Sequence, residues 1–142
     1  MPAPADRTAF SMTVTAQPAD IDIMGHVNNA VYVRWVQEVA TEHLAHVVPQ
    51  EHTDRMFWLV TRHEIDYLAA TLEGETVTLT TWVGTPKGAR FDRFVDITGP
   101  DGKLRVRAHT TWALLDREAG RLMRVTPDIA APFMGGGANA AD

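Results

Sequence analysis

Hydrophobic and polar residues alternate one for one over residues 8–16. Phe10, Met12, Val14 and Ala16 fall on one side, and Ser11, Thr13 and Thr15 on the other. A period of two places successive side chains on opposite faces, so the pattern predicts a half-buried strand. From Asn29 to about His46 the period lengthens to helical spacing. Tyr32, Trp35, Val36, Val39, Ala40, His43, Leu44 and Val47 share one face, and Arg34, Gln37, Glu38, Thr41 and Glu42 the other. This predicts one amphipathic helix of about five turns. Asn28 or Asn29 is its N-cap, since either side-chain oxygen can accept a free backbone N–H, and Pro49 follows its end. Residues 17–28 are irregular, broken by Pro18 and Gly25, and residues 50–56 are a polar loop or short helix. Strand-like runs return at 57–68, 75–84, 89–98 and 103–115, joined by turn residues at Gly74, Gly84 to Gly88 and Gly99 to Gly102. A short final strand over 121–126 and a last helix opened by Pro127 complete the expected elements.

This order, strand, long helix, then four or five strands, describes an α+β domain in which a single helix covers one face of an antiparallel sheet. Strand edges and the uncovered face remain exposed in a monomer, which predicts a homo-oligomer. The 142 residues make one domain, spanning 1–134, with 1–7 loose and the glycine-rich segment 135–142 a flexible tail. A net charge of −5 argues against a nucleic-acid partner. The absence of cysteine removes disulfides and thiolate nucleophiles. The lone serine, Ser11, sits in the first strand, so there is no nucleophile elbow. No glycine-rich phosphate loop occurs either. The first ten residues lack the apolar core of a secretion signal, and no apolar run approaches the roughly 20 residues of a membrane span, so a soluble cytoplasmic protein is expected.

Chemistry is concentrated in Asp20-Ile21-Asp22-Ile23-Met24-Gly25-His26-Val27-Asn28-Asn29, directly ahead of the helix. The first turn of a helix presents free N–H groups carrying partial positive charge, which suits a developing oxyanion. A carboxylate beside them can activate water or attack directly. The plainer alternative is a capping loop, in which the aspartates and Asn28 only bind backbone. Elsewhere the candidates are thinner. His43 and His46 lie within reach of one metal, but no third ligand at recognised spacing joins them, so no metal site is expected. Glu64 is either a site member from a neighbouring strand or a solvated carboxylate paired with Arg62 or Arg90. Lys87, Arg90 and Arg93 form either a basic spot for phosphates or solvated charge that blunts a strand edge, with Arg117, Arg121 and Arg124 as a rival patch. Tyr32 and Trp35 fit core positions.

The pattern D-x-D-x-x-G-H-V-N-N-x-x-Y, from Asp20 to Tyr32, resembles the signature of hotdog-fold acyl-thioester hydrolases of the 4-hydroxybenzoyl-CoA thioesterase-like family. Arg62 to Leu68 is similar to the family's second strand, and Thr110-Thr111-Trp112 with Asp116 to its last long strand, so the resemblance spans about 8–133. It implies a curled antiparallel sheet wrapped around one long central helix, active sites at a dimer interface, and a homodimer or dimer of dimers. It implies an acyl-CoA substrate and neither metal nor organic cofactor. The catalytic carboxylate falls on Asp22. Asn29 falls where a helix-start N–H polarises the thioester carbonyl, with the Val27 N–H as a second donor. His26 is a secondary candidate, since related plant acyl-carrier-protein thioesterases pair such a histidine with an asparagine where this chain has Met24. Glu64, Lys87 and Arg90 are the substrate-binding candidates beyond the loop. Two other activities fit a similar fold: an enoyl-thioester hydratase or dehydratase, and a non-catalytic acyl-CoA-binding dimer. The hydratase loop separates its Asp and His by five residues, and here Asp22 and His26 are four apart.

Overall fold

In the computed structural model, which describes residues 7–134, the first alternating run forms strand β1 (Phe10–Thr15), with its apolar side turned inward and its hydroxyls outward. The helical run forms α1 (Asn29–Val47), 19 residues long. Asn28 sets its start, because Asn28 Oδ1 accepts the Ala30 N–H at 2.9 Å. Pro49 sets its end by forcing the residue before it out of helical geometry, and Val48 is extended at φ −87°, ψ 127°. The buried stripe of α1 is Val31, Tyr32, Trp35, Val36, Val39, Ala40 and His43. Leu44 and Val47, at the far end, are only half-buried. The polar segment after Pro49 is a short helix, α2 (Gln50–Arg55).

Four strands follow: β2 (Met56–Tyr67), β3 (Thr76–Val83), β4 (Arg90–Thr98) and β5 (Leu104–Asp116). They and β1 make one sheet in the order β1-β3-β4-β5-β2, every neighbouring pair antiparallel. The strand expected at 121–126 does not form. The segment makes one bridge, Leu115 to Leu122, and then the Val125 N–H turns away to the Gly88 carbonyl at 2.8 Å. β4 already occupies that edge of β5 from Ala113 backward, so no free edge remains to extend. Pro127 opens a helix as expected, α3 (Pro127–Ala130). Residues 1–6 and the tail expected at 135–142 lie outside the described residues. Arg7 is not loose: its Nε donates to the Val83 carbonyl at 3.0 Å.

α1 lies across one face of this sheet. Its Tyr32, Trp35, Val36 and Val39 pack with Val77 and Leu79 of β3, Val95 and Ile97 of β4, and Val106 and Ala108 of β5. Phe10, Met12 and Val14 of β1 and Ile65 of β2 close the cluster, so all five strands contribute to the helix's bed. This is the hotdog fold, an α+β arrangement of one long helix held by a curled antiparallel sheet. A second cluster, with Ala40, Phe91, Trp112, Leu114, Ile129 and Phe133, fills the far end under α3. No helix among the described residues is long and apolar enough to cross a membrane.

One irregularity matters for the site. The pairing of β2 with β5 shifts register between Val60 and Arg62. A bulge inserts one residue and reverses the parity of the strand beyond it. Trp58 and Val60 therefore face the helix side before the bulge, and Ile65 and Tyr67 after it. β2 is also an edge of the sheet, twelve residues long, with Leu59 half-exposed.

Candidate active site

The loop between β1 and α1 is tied at several points. Ile21 and Val27 form a bridge, the Asp22 N–H donates to the His26 carbonyl at 2.8 Å, and the Gly25 N–H to the Asp22 carbonyl at 3.0 Å. Gly25 sits at φ +81°, a left-handed conformation that glycine adopts without strain. Within this turn Asp22 Oδ1 accepts the Met24 N–H at 2.9 Å and the His26 N–H at 3.4 Å. The two bonds orient the carboxylate. Oδ2 accepts no hydrogen bond among the described residues.

At the start of α1 the first backbone donors have separate fates. The Asn28 N–H donates to the Asp20 carbonyl at 2.9 Å, the Ala30 N–H goes to Asn28 Oδ1, and the Val31 N–H to the Asn28 carbonyl at 2.9 Å. The Asn29 N–H has no acceptor among the described residues. It stands at the positive end of a 19-residue helix. Asp22, His26, Asn29, Tyr32 and Tyr67 line one cavity of about 280 Å³. Asp22, with one carboxylate oxygen free of hydrogen bonds among the described residues, and Asn29, with its helix-end N–H unclaimed there, therefore line the same space. That is the minimum set for acyl transfer: a base or nucleophile, and a donor for the oxygen on which charge develops.

Two tyrosines frame this space. The Tyr67 hydroxyl donates to the Asn29 carbonyl at 3.3 Å, holding the start of α1 against the end of β2. Burial, and secondarily the neighbouring Tyr32, push the Tyr67 phenol up, so it stays a neutral donor. The Tyr32 hydroxyl is buried without a hydrogen-bond partner, with its ring 5.7 Å from that of Tyr67. Nothing in a strict period-two reading of β2 brings Tyr67 here, because its inward turn depends on the bulge.

Asp20, two residues before Asp22, has a different role. It is 5% exposed and accepts the Gln17 N–H at 2.9 Å and Arg34 Nη2 at 3.0 Å. The Gln17 N–H first, and then Arg34, hold its carboxyl below the usual carboxylate range. It braces the loop from within, while Asp22 faces the cavity.

The remaining candidates disperse. Val27 is buried, and its N–H donates to the Thr71 carbonyl at 2.9 Å, so it is not the second oxyanion donor expected from the sequence. That role for Val27 is corrected: the loop needs the bond to dock on the segment after β2. His26 is exposed at the cavity rim. Glu64 lies on exposed β2, where Arg62 Nη2 and His109 Nδ1 approach it at 3.3 Å each, and it does not line the cavity with Asp22. Lys87 and Arg90 are exposed and tied to each other through their backbones at the start of β4. Arg93 does not join them at the surface. The alternation of β4 buries it beside Phe91, Val95 and Ile97. Arg117 folds back on the Thr53 carbonyl at 3.0 Å, which removes it from the rival patch and leaves Arg121 and Arg124 exposed. His43 is buried and His46 exposed, and no group of residues able to hold a metal occurs among the described residues.

Comparison with known proteins places the chain. Residues 16–133 match the family model described as the thioesterase-like superfamily. Among solved structures, a 1,4-dihydroxy-2-naphthoyl-CoA thioesterase from Synechocystis is similar at 16% identity and a TM-score of 0.75, over 87% of this chain and 94% of its own. A probable thioesterase from Escherichia coli is similar at 19% identity and a TM-score of 0.80, over 86% of this chain and 94% of its own. A hypothetical protein from Staphylococcus aureus, solved in complex with CoA, is similar at 18% identity and a TM-score of 0.78, over 89% of this chain and 82% of its own. No curated protein matches the sequence. Similarities at this level of identity carry the fold, and the family match over most of the chain carries the family: the chain belongs to the thioesterase-like superfamily and is a thioester hydrolase built on the hotdog fold.

Proposed function

We propose that the protein hydrolyses the thioester of an acyl-CoA to a free carboxylic acid and CoA, acting in the cytoplasm as a homo-oligomer. The observation that carries this reading is that one cavity is lined by both Asp22 and Asn29, whose N–H has no acceptor among the described residues. The thioester carbonyl oxygen accepts the Asn29 N–H, which stabilises the negative charge that grows there. Asp22 either takes the proton of an attacking water or attacks the carbonyl carbon itself, giving a mixed anhydride that water then opens. On both routes the C–S bond breaks, the thiolate of CoA leaves and picks up a proton, and the acyl group departs as the acid. A thioester is already activated, so base and dipole suffice. His26, at the rim of the cavity, is a secondary participant. Glu64 on β2 is assigned a substrate contact in the assembled oligomer. Lys87 and Arg90 offer two exposed cations to the phosphates of CoA. The CoA bound to the Staphylococcus aureus relative supports the choice of CoA as carrier.

The oligomer rests on two features. β2 is a long edge strand, a template for pairing with a second copy. Around the cavity, Ile23 is 100%, Met24 74% and Leu68 58% exposed, apolar surface that a second copy would cover.

The test uses purified protein, acyl-CoAs of several chain lengths and a thiol-reactive dye. Free thiol is expected, at a rate that Asp22→Asn lowers at least about 100-fold. Loss of enoyl absorbance without thiol would point to a hydratase. Binding with neither signal would leave an acyl-CoA binder. Full activity in Asp22→Asn would move the search to Glu64 and His26.

A further inference from the structure

Residues 68–75 connect β2 to β3, and within them Leu68, Ala69 and Ala70 supply one wall of the Asp22 cavity. The same segment anchors the loop that carries Asp22, because the Thr71 carbonyl accepts the Val27 N–H at 2.9 Å. Val27 is 3% exposed and bridges to Ile21, so it closes the turn around Asp22, and it stands two residues before Asn29. A shift of Thr71 would therefore move Asp22 and the start of α1 relative to each other.

Arg105 fixes Thr71 in place. The pairing of β4 with β5 shifts register between Ile97 and Thr98: Ile97 pairs with Val106 and Thr98 with Leu104, which leaves Arg105 as the extra residue of β5. A bulge takes its extra residue out of the ladder and re-aims the side chain. Here the Arg105 carbonyl accepts the Leu68 N–H at 2.8 Å and the Ala69 N–H at 3.1 Å. Its Nη1 donates to Glu75 Oε1 at 2.8 Å, to the Ala70 carbonyl at 3.0 Å and to Thr71 Oγ1 at 3.4 Å. Glu75 Oε1 in turn accepts the Leu72 N–H at 2.9 Å. Arg105 is 8% exposed and Thr71 fully buried, so water competes little for these bonds. The guanidinium is also closely seated, since a Cβ added at Gly99 would overlap it. Arg105 itself does not line the cavity.

We propose that Arg105 is a positioning residue for acyl transfer: through Thr71 and Val27 it sets Asp22 relative to the Asn29 N–H, and with Glu75 it holds the Leu68 to Ala70 wall in place. The role rests on the reading of this site as an acyl-CoA hydrolase. Its size follows from the geometric demand of that chemistry, in which a misplacement of about 1 Å caused far from the reacting atoms costs about 10²-fold in rate.

Two variants of the full-length protein test it. Arg105→Met combined with Glu75→Gln removes both charges together, so neither is left unpaired. Gly99→Ala keeps both charges and pushes the guanidinium off its seat, at a backbone position that is not left-handed. If the first variant fails to fold, the second decides. Amide hydrogen exchange at Val27 should quicken about 10-fold or more, while Val95 and Ile97 in central β4 keep their wild-type rates. The kcat for thiol release from an acyl-CoA should fall about 10-fold or more. In an Asp22→Asn background the same change should cost about 3-fold or less, since an absent carboxylate cannot be misplaced. Unchanged exchange at Val27 would overturn the proposal. Equal quickening at Val27, Val95 and Ile97 would make Arg105 a general support of the fold and overturn it too. So would unchanged kcat beside fast Val27 exchange, or an equal loss with and without Asp22. A wild-type protein that releases no thiol would refute the hydrolase reading and this role with it, whereas normal release with unchanged Val27 exchange in the variants would refute the role alone.

Discussion

Replacing Asn29 by proline removes its backbone N–H from the proposed site, together with the side-chain amide that a companion variant controls for. Asn29 is the first residue of α1, a position where proline is favoured because its N–H would go unused in the helix. The residue before it already has the extended backbone that a following proline requires, Asn28 at φ −63°, ψ 139°. The Asn29 N–H has no acceptor among the described residues, so its loss orphans no group. The Tyr67 hydroxyl bonds the Asn29 carbonyl, which proline keeps. Stability should therefore move by less than about 1 kcal/mol. Loss of one preorganised oxyanion donor costs about 2.7–4 kcal/mol of barrier, or about 10²–10³ in kcat. KM should change little, because the donor acts on charge that exists only in the transition state. The measurements are thiol release from an acyl-CoA and urea denaturation on the same preparation. Asn29→Ala is the companion: it keeps the N–H, loses the side-chain amide and should retain most activity. A folded Asn29→Pro enzyme with full kcat would refute the assignment of this N–H. Equal losses in both variants would transfer the role to the side chain.

Three further outcomes follow from the same geometry. Tyr32→Phe removes a buried hydroxyl that has no partner, and should raise the unfolding free energy by about 1–2 kcal/mol and Tm by several degrees; a clear loss of stability would mean that the hydroxyl bonds a trapped water. Asp20 has a folded-state pKa below its ordinary 3.8, so its contribution to stability is complete above that value and disappears as pH falls through the lowered one. Asp20→Asn should accordingly cost about 1–2 kcal/mol at pH 7 and progressively less as the solution is acidified below about pH 4, and an equal cost throughout would contradict the ionic role. Lys87→Ala with Arg90→Ala should raise KM for acyl-CoA with kcat nearly unchanged, and added salt should mimic the pair; an unmoved KM would place the phosphates elsewhere, with Arg121 and Arg124 next.

Much of the fold is local information. The change from period two to helical spacing near Asn29 marks β1 and α1, because burying one face of each element imposes those periods. Asn28, Pro49 and Gly25 carry their roles in their own covalent chemistry: a short side-chain acceptor, a ring without an N–H, and a residue without Cβ. Other features depend on partners distant in sequence. A register shift against β5 places Tyr67 beside Tyr32, and no alternation pattern in β2 announces it. The Val27 N–H is taken by Thr71, 44 residues away, because the loop docks on the segment leaving β2. Arg93 shows the two kinds of information in conflict. Its charge groups it in sequence with Lys87 and Arg90, whereas its parity with Phe91, Val95 and Ile97 turns it inward. The sheet register prevails because a strand cannot rotate one side chain outward without exposing its hydrophobic neighbours. Sequence therefore determined the elements, their order and the loop where chemistry is concentrated, since each depends on neighbours within a few residues. Only the tertiary structure decided which N–H groups stay free and which charges are buried, since those depend on what the rest of the chain brings alongside.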